Sequence, residues 1–163
     1  MTREAQLVRH GGYDHNNGRL TAAGLEQAEM ARDILLAKEL GTRVIVLSSD
    51  AIRAVETSQI IASGLGAVLV YSERIRRGGE QPWAVGNLGE FLEESLRADS
   101  ETTIDTTDSA FVVVTHAPLI AEVTAQSSTT VEYGQVYPVF LDWTNPDYKE
   151  LDAEYILSGG FEF

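Results

Sequence analysis

Apolar residues along this chain follow two kinds of pattern. One is the short unbroken run, as in "VIVL" at 44–47, "AVLV" at 67–70 and "FVVV" at 111–114. Continuous runs rich in β-branched residues suit strands buried on both faces, as in a parallel sheet. They predict strands over 4–9, 43–49, 67–71 and 110–115. The other pattern is helical. Leu25, Ala28, Ala31, Leu35 and Leu36 recur at the spacing of one helix face over 21–41. Thr21 stands where an N-cap would, and Gly41 is a plausible stop. A second helix is expected over 51–64, capped by Asp50 and ended by the glycines of "SGLGA". A third is expected over about 82–97, with Trp83, Val85, Leu88, Phe91 and Leu92 on its apolar side. A fourth starts at Pro118, a favoured first position. The polar stretch "DSETTIDTTDS", 99–109, reads as a surface loop. Near the end, "QVYPVFLDW" and "YKELDAEYIL" flank the turn residues "TNPD", which predicts an antiparallel hairpin.

Strands alternating with helices argue for an α/β domain with a largely parallel sheet. The length, 163 residues, fits one domain spanning 1–163. The longest aliphatic runs fall far short of the roughly 20 apolar residues of a membrane helix. The polar start "MTREAQ" is unlike a signal peptide, and cysteine is absent, so the expected location is cytoplasmic. The net charge of −13 argues against binding nucleic acid through a basic face. It also means that an anionic substrate must be drawn by a local cluster of positive groups.

In a parallel sheet, ligands sit off the carboxyl ends of the strands. There the first strand carries Arg9 and His10, the second ends in Ser48, Ser49 and Asp50, and the "AFVVVT" strand leads into His116. Arg53 follows the second strand by one helical turn. If these ends converge, two arginine forks and two imidazoles form an anion site that suits phosphate. The start of the 51–64 helix would add its free amides. A neutral imidazole is also a nucleophile toward phosphorus, and nearby arginines oppose a second positive charge on it. Gly11 and Gly12 are expected to leave room beside it. His10, Asp14 and His15 offer a weaker metal set through a flexible loop. No metal and no cofactor is expected. The tryptophans and tyrosines read most simply as packing residues.

The ordered set "LVRHG", "LTAAGLEQA", "SSDAIRAVETSQIIA" and "VVVTHAPLI" resembles the histidine phosphatase superfamily, the phosphoglycerate mutase-like clan. The resemblance spans about 5 to 125. It implies a three-layer α/β/α sandwich with a mostly parallel central sheet, here with a C-terminal antiparallel hairpin. It implies that His10 is the phosphorylated nucleophile and that Arg9, Arg53 and His116 form the phosphate pocket. Asn16 or Asn17 would stand for a pocket asparagine in substrate binding. The short chain, "SERIRRGGEQPWAVGNLGEFL" and the "THAPLI" helix resemble the small SixA-type phosphohistidine phosphatases.

The chain departs from the larger members at one place. Where they carry an acid after the third strand, in an "L-x-E" pattern, this sequence has Ile75-Arg76-Arg77. Glu73, Glu80 and Asp14 are nearby acids, and Glu80 is the candidate proton donor. Lack of a dedicated acid suits a substrate with a good leaving group, such as phosphohistidine. Arg74, Arg76 and Arg77 are candidates for a rim that attracts an acidic substrate. The expected activity is metal-independent hydrolysis of a phosphorylated protein or small phosphorylated substrate through a phosphohistidine on His10. The competing readings are a phosphoglycerate mutase-type transferase and a catalytically weak phosphate- or phosphopeptide-binding module.

Overall fold

The computed structural model describes residues 2–77, 103–105, 109–142 and 150–152. The helix expected at 82–97, Glu80 and the Arg74 side chain lie outside the described residues. Strand β1 (Thr2–Arg9) is followed by helix α1 (Ala22–Ala37), β2 (Val44–Ser49), helix α2 (Ile52–Leu65) and β3 (Val68–Ser72). A short 3-10 turn, Glu73–Ile75, comes next. Then come β4 (Thr103–Asp105), β5 (Ala110–Thr115), helix α3 (Ala117–Thr124), a second 3-10 turn at Ser128–Thr130, β6 (Val136–Asp142) and β7 (Glu150–Asp152).

Five strands form one sheet in the order β3-β2-β5-β1-β6. The first four are mutually parallel, and β6 runs antiparallel to β1 along the edge. The unbroken apolar runs have a direct cause here, because the sheet is covered on both faces. Val8, Val44, Val46, Val112 and Val114 pack with Ala31 and Leu35 of α1 and Ala54 and Ile61 of α2. Their neighbours Leu7, Ile45, Leu47, Phe111 and Val113 face the other way, onto Leu119 and Ile120 of α3. Period-two alternation along each strand thus feeds two apolar layers instead of one apolar and one wet face. This is the three-layer α/β/α arrangement.

Several local expectations shift. The buried side of α1 is Gly24, Ala28, Ala31 and Leu35, while Leu25 and Leu36 are half-exposed. Thr21 caps α1, its hydroxyl accepting the Gly24 amide at 3.0 Å. The helix ends at Ala37, ahead of Gly41, through Lys38 and a left-handed Glu39. Asp50 does not cap α2. Ala51 holds the cap position without a side-chain bond, and the Asp50 carboxylate turns instead to Arg76. At the other end Gly66 terminates α2 with φ of 62°, a conformation that favours glycine.

The two arms of the expected C-terminal hairpin are both antiparallel strands, but their partners lie far back in the chain. β6 pairs with β1 over seven positions, Thr2↔Asp142 to Val8↔Val136. β7 pairs with β4, inside the stretch expected to be a loop. The turn "TNPD" lies outside the described residues. Pairing with β1 places β6 at the edge of the main sheet, beside a strand already fixed in the core, which a short turn signal cannot reveal.

Candidate active site

The site forms because β5 lies between β1 and β2. Arg9 is in register with Thr115, and Ser48 with Val114, so three carboxyl ends finish side by side. Arg9 and His10 leave β1, His116 follows β5, and Arg53 sits in the first turn of α2. These are the four residues singled out from the sequence, and the fold brings them together. Arg9, His10 and His116 line a cavity of about 260 Å³ with Tyr13, His15, Arg77, Ala117, Pro118, Ser128, Thr129 and Tyr133. Arg53 adjoins it through the His10 ring.

His10 is 3% exposed. Its Nδ1 lies 2.8 Å from the Gly11 carbonyl oxygen. A carbonyl only accepts, so this bond puts the ring proton on Nδ1 and leaves a lone pair on Nε2. Arg53 Nε donates to that Nε2 at 3.3 Å. Burial, opposed by the Gly11 bond and helped by Arg53 and Arg9, pushes the His10 pKa down to about 3. The neutral nucleophile expected beside arginines is therefore neutral first because it is desolvated, and only second because of the arginines. His116 is also held well below the ordinary imidazole value, by burial and then by His10 and Arg53. The two rings stand 5.0 Å apart in an edge arrangement.

Each arginine carries an aromatic support. The Arg53 guanidinium lies 4.5 Å from the Tyr13 ring centre, and that of Arg9 lies 3.9 Å from Tyr133. Arg9 also donates through Nη1 to the Val131 carbonyl at 2.6 Å. Tyr13 and Tyr133 face His10 as well, at 5.4 and 5.8 Å between ring centres. Reading the tyrosines as packing residues missed this. The signal available in the sequence was Tyr13 itself, three residues beyond His10; nothing local marks Tyr133.

The glycines act differently from the open approach expected of them. A Cβ on Gly11 would overlap the Gly24 carbonyl, and one on Gly24 would overlap that of Gly12. They let the start of α1 press against the loop after β1. That loop is then tied from both helices. Gly11 N–H donates to Thr57 Oγ1 at 3.0 Å and Gly12 N–H to Gln27 Oε1 at 2.7 Å, while Thr57 Oγ1 donates to the Arg53 carbonyl at 2.8 Å.

Asn16 and Asn17 are exposed in the turn that follows. The Asn16 amide N–H donates to Asp14, Asn17 Oδ1 accepts from the Arg19 amide, and neither asparagine lines the cavity. Of the three rim arginines, Arg77 reaches the cavity. Arg76 instead forks onto the nearly buried Asp50, with Nη2 2.6 Å from Oδ2. Among the described residues no carboxylate lines the cavity.

Residues 6–84 match the sequence model of the histidine phosphatase superfamily, branch 1. No curated protein matches the chain in sequence. Among solved structures, the protein named as phosphohistidine phosphatase SixA from Agrobacterium tumefaciens aligns with a TM-score of 0.54 at 21% identity. It covers 74% of this chain and 71% of its own. The protein of the same designation from Nakamurella multipartitia gives 0.56 at 21%, covering 86% and 85%. A mycobacterial glucosyl-3-phosphoglycerate phosphatase gives 0.53 at 18%, covering 86% and 91%. At such identities these likenesses speak for the fold. The sequence match reaches from β1 across the first two helices and takes in Arg9, His10 and Arg53, and over that stretch, just under half of the chain, the sequence is similar to the histidine phosphatase superfamily.

Proposed function

We propose that the protein is a metal-independent phosphatase that works through a phosphohistidine on His10. The observation that carries this reading is the His10 ring itself: buried, neutral, its proton committed to Gly11 and its Nε2 lone pair directed among arginines. In the first step Nε2 forms a bond to phosphorus. The bond from phosphorus to the leaving oxygen or nitrogen breaks, and the leaving group takes its electron pair and a proton. In the second step water forms the new P–O bond, the P–N bond breaks, and its pair returns to Nε2 as inorganic phosphate departs and a proton passes to solvent. Arg9, Arg53 and His116 hold the phosphoryl oxygens, and their donors act on charge that is spread over those oxygens in the transition state.

The favoured substrate is a phosphohistidine protein, with a small phosphomonoester next. A cavity lined by arginine and histidine but, among the described residues, by no carboxylate suits a leaving group that needs little help from an acid. An imidazole leaving group meets that condition, since it takes a proton readily near neutral pH. Solved structures named for SixA, at 21% identity, are consistent with this choice.

The test is a panel of an aryl phosphate, a phosphohistidine protein and 3-phosphoglycerate, each with and without chelator. Hydrolysis that survives chelator and is lost in His10→Ala supports the proposal. Tight phosphate binding with no turnover of any member would replace it by a binding module, and exchange between 2- and 3-phosphoglycerate would replace it by a mutase.

A further inference from the structure

Beyond His10, the site holds a second imidazole, His116, whose ring is in contact with a residue at the end of β2. Ser49 is fully buried, and its Oγ lies 2.9 Å from His116 Nε2. The same Oγ accepts the Ala51 amide N–H at 3.3 Å, at the start of α2. A serine hydroxyl has one proton to give and two lone pairs to offer. One lone pair is engaged by the amide. Among the described residues the acceptor within reach of the hydroxyl proton is His116 Nε2. The economical arrangement has Ser49 donating to Nε2, which leaves the ring proton of neutral His116 on Nδ1. That nitrogen is buried, and among the described residues no protein group bonds it.

We propose that Ser49 is a positioning residue that holds His116 as its Nδ1–H tautomer, so that His116 meets the bound phosphoryl group as a neutral hydrogen-bond donor. His10 carries its proton on the same ring nitrogen, through Gly11, but with the opposite consequence. His10 turns a lone pair toward the site, and His116 offers an N–H. Neutral histidine in water favours the other tautomer, so the arrangement at His116 needs a cause, and the Ser49 hydroxyl supplies one. The pairing also links the donor to the α2 start, because Ser49 fixes Ala51 and Arg53 lies two residues further on. A ring held this way would not take up a proton to stabilise charge; it would act through the N–H it already has.

The catalytic consequence rests on the phosphatase reading, but the tautomer does not. The experiment is a long-range nitrogen–proton correlation spectrum of the whole protein with 15N-labelled histidine, at pH 7.5 and without substrate. Wild type is expected to show His116 protonated on Nδ1. Ser49→Ala is expected to shift it to the Nε2–H form or to a mixture, and Ser49→Thr, which keeps the hydroxyl, to restore Nδ1–H. Turnover of aryl phosphate by Ser49→Ala should fall at least about tenfold in kcat, with KM little changed. A wild-type spectrum with the proton on Nε2 overturns the inference whatever the variants do, as does an unchanged Nδ1–H signal in a folded Ser49→Ala protein. Loss of all activity in wild type, with the Nδ1–H signal present, would sink the phosphatase reading and leave the tautomer assignment standing.

Discussion

At the scale of single residues, His10 and His116 are held neutral by burial at a cost in stability. Both have folded pKa values depressed by burial, His10 to about 3 from an ordinary 6.5. Below pH 6.5 the unfolded chain therefore binds protons that the folded chain refuses. Stability falls as pH drops through that range, and for His10 the loss continues toward pH 3. Unfolding midpoints measured in urea between pH 7.5 and 5.5 should decline with falling pH, and His10→Gln should decline less steeply. Parallel slopes in the two proteins would mean that the folded ring titrates normally. Arg53 acts through geometry: its Nε meets His10 while its guanidinium plane lies over Tyr13. Lysine keeps the charge but neither the fork nor the stacking plane. Arg53→Lys is expected to lower kcat/KM for aryl phosphate by about 100-fold, a loss that steady-state assays would detect; activity within twofold of wild type would show that charge alone suffices.

Between elements, two contacts hold the strand ends in place. The first is the glycine contact of α1 with the loop after β1. Gly24→Ala puts a methyl group into the Gly12 carbonyl, so the helix or the loop must shift. Overpacking of this kind costs about 1–3 kcal/mol, and because the moved loop carries His10, activity should fall with stability. Thermal unfolding and kcat/KM on the same sample check both. The second contact is the fork from Arg76 to Asp50, which joins the segment after β3 to the start of α2. Asp50 is almost wholly buried, so Arg76→Ala leaves a carboxylate without its cation. The expected destabilisation is about 3 kcal/mol, partly recovered by adding Asp50→Asn. A double variant no more stable than the single one would show that the fork carries no such role. The same fork explains why Arg76 does not serve the rim: a buried carboxylate needs a partner more than an exposed surface needs a charge.

For the whole molecule the governing quantity is the charge of −13 around a cationic cavity. Long-range repulsion among carboxylates opposes the compact state, and salt screens it over about 10 Å at 0.1 M. The melting temperature should therefore rise between low and moderate sodium chloride. A gain of about 1 kcal/mol would appear as a rise of about 3 °C for a chain of this size. A flat response from about 20 to 500 mM salt would show that the carboxylates are locally compensated.

What the sequence by itself determined was whatever depends on near neighbours. The runs of β-branched residues marked β2, β3 and β5 to within a residue or two, and for β2 and β5 the reason is that a strand covered on both faces has no polar side to interrupt it. Arg9, His10, Arg53 and His116 were legible because each lies at a strand end or in the first turn after one. Tertiary structure alone decided what depends on residues distant in the chain. Burial as the main cause of His10 neutrality, the use of Gly11 and Gly24 for close packing, and the site places of Tyr13 and Tyr133 all required the fold. So did the turning of Asp50 from cap to ion pair, and the pairing of β6 with β1. These follow from competition: each polar group takes the best partner the folded chain brings within reach, and the linear spacing of residues does not reveal which partner that is.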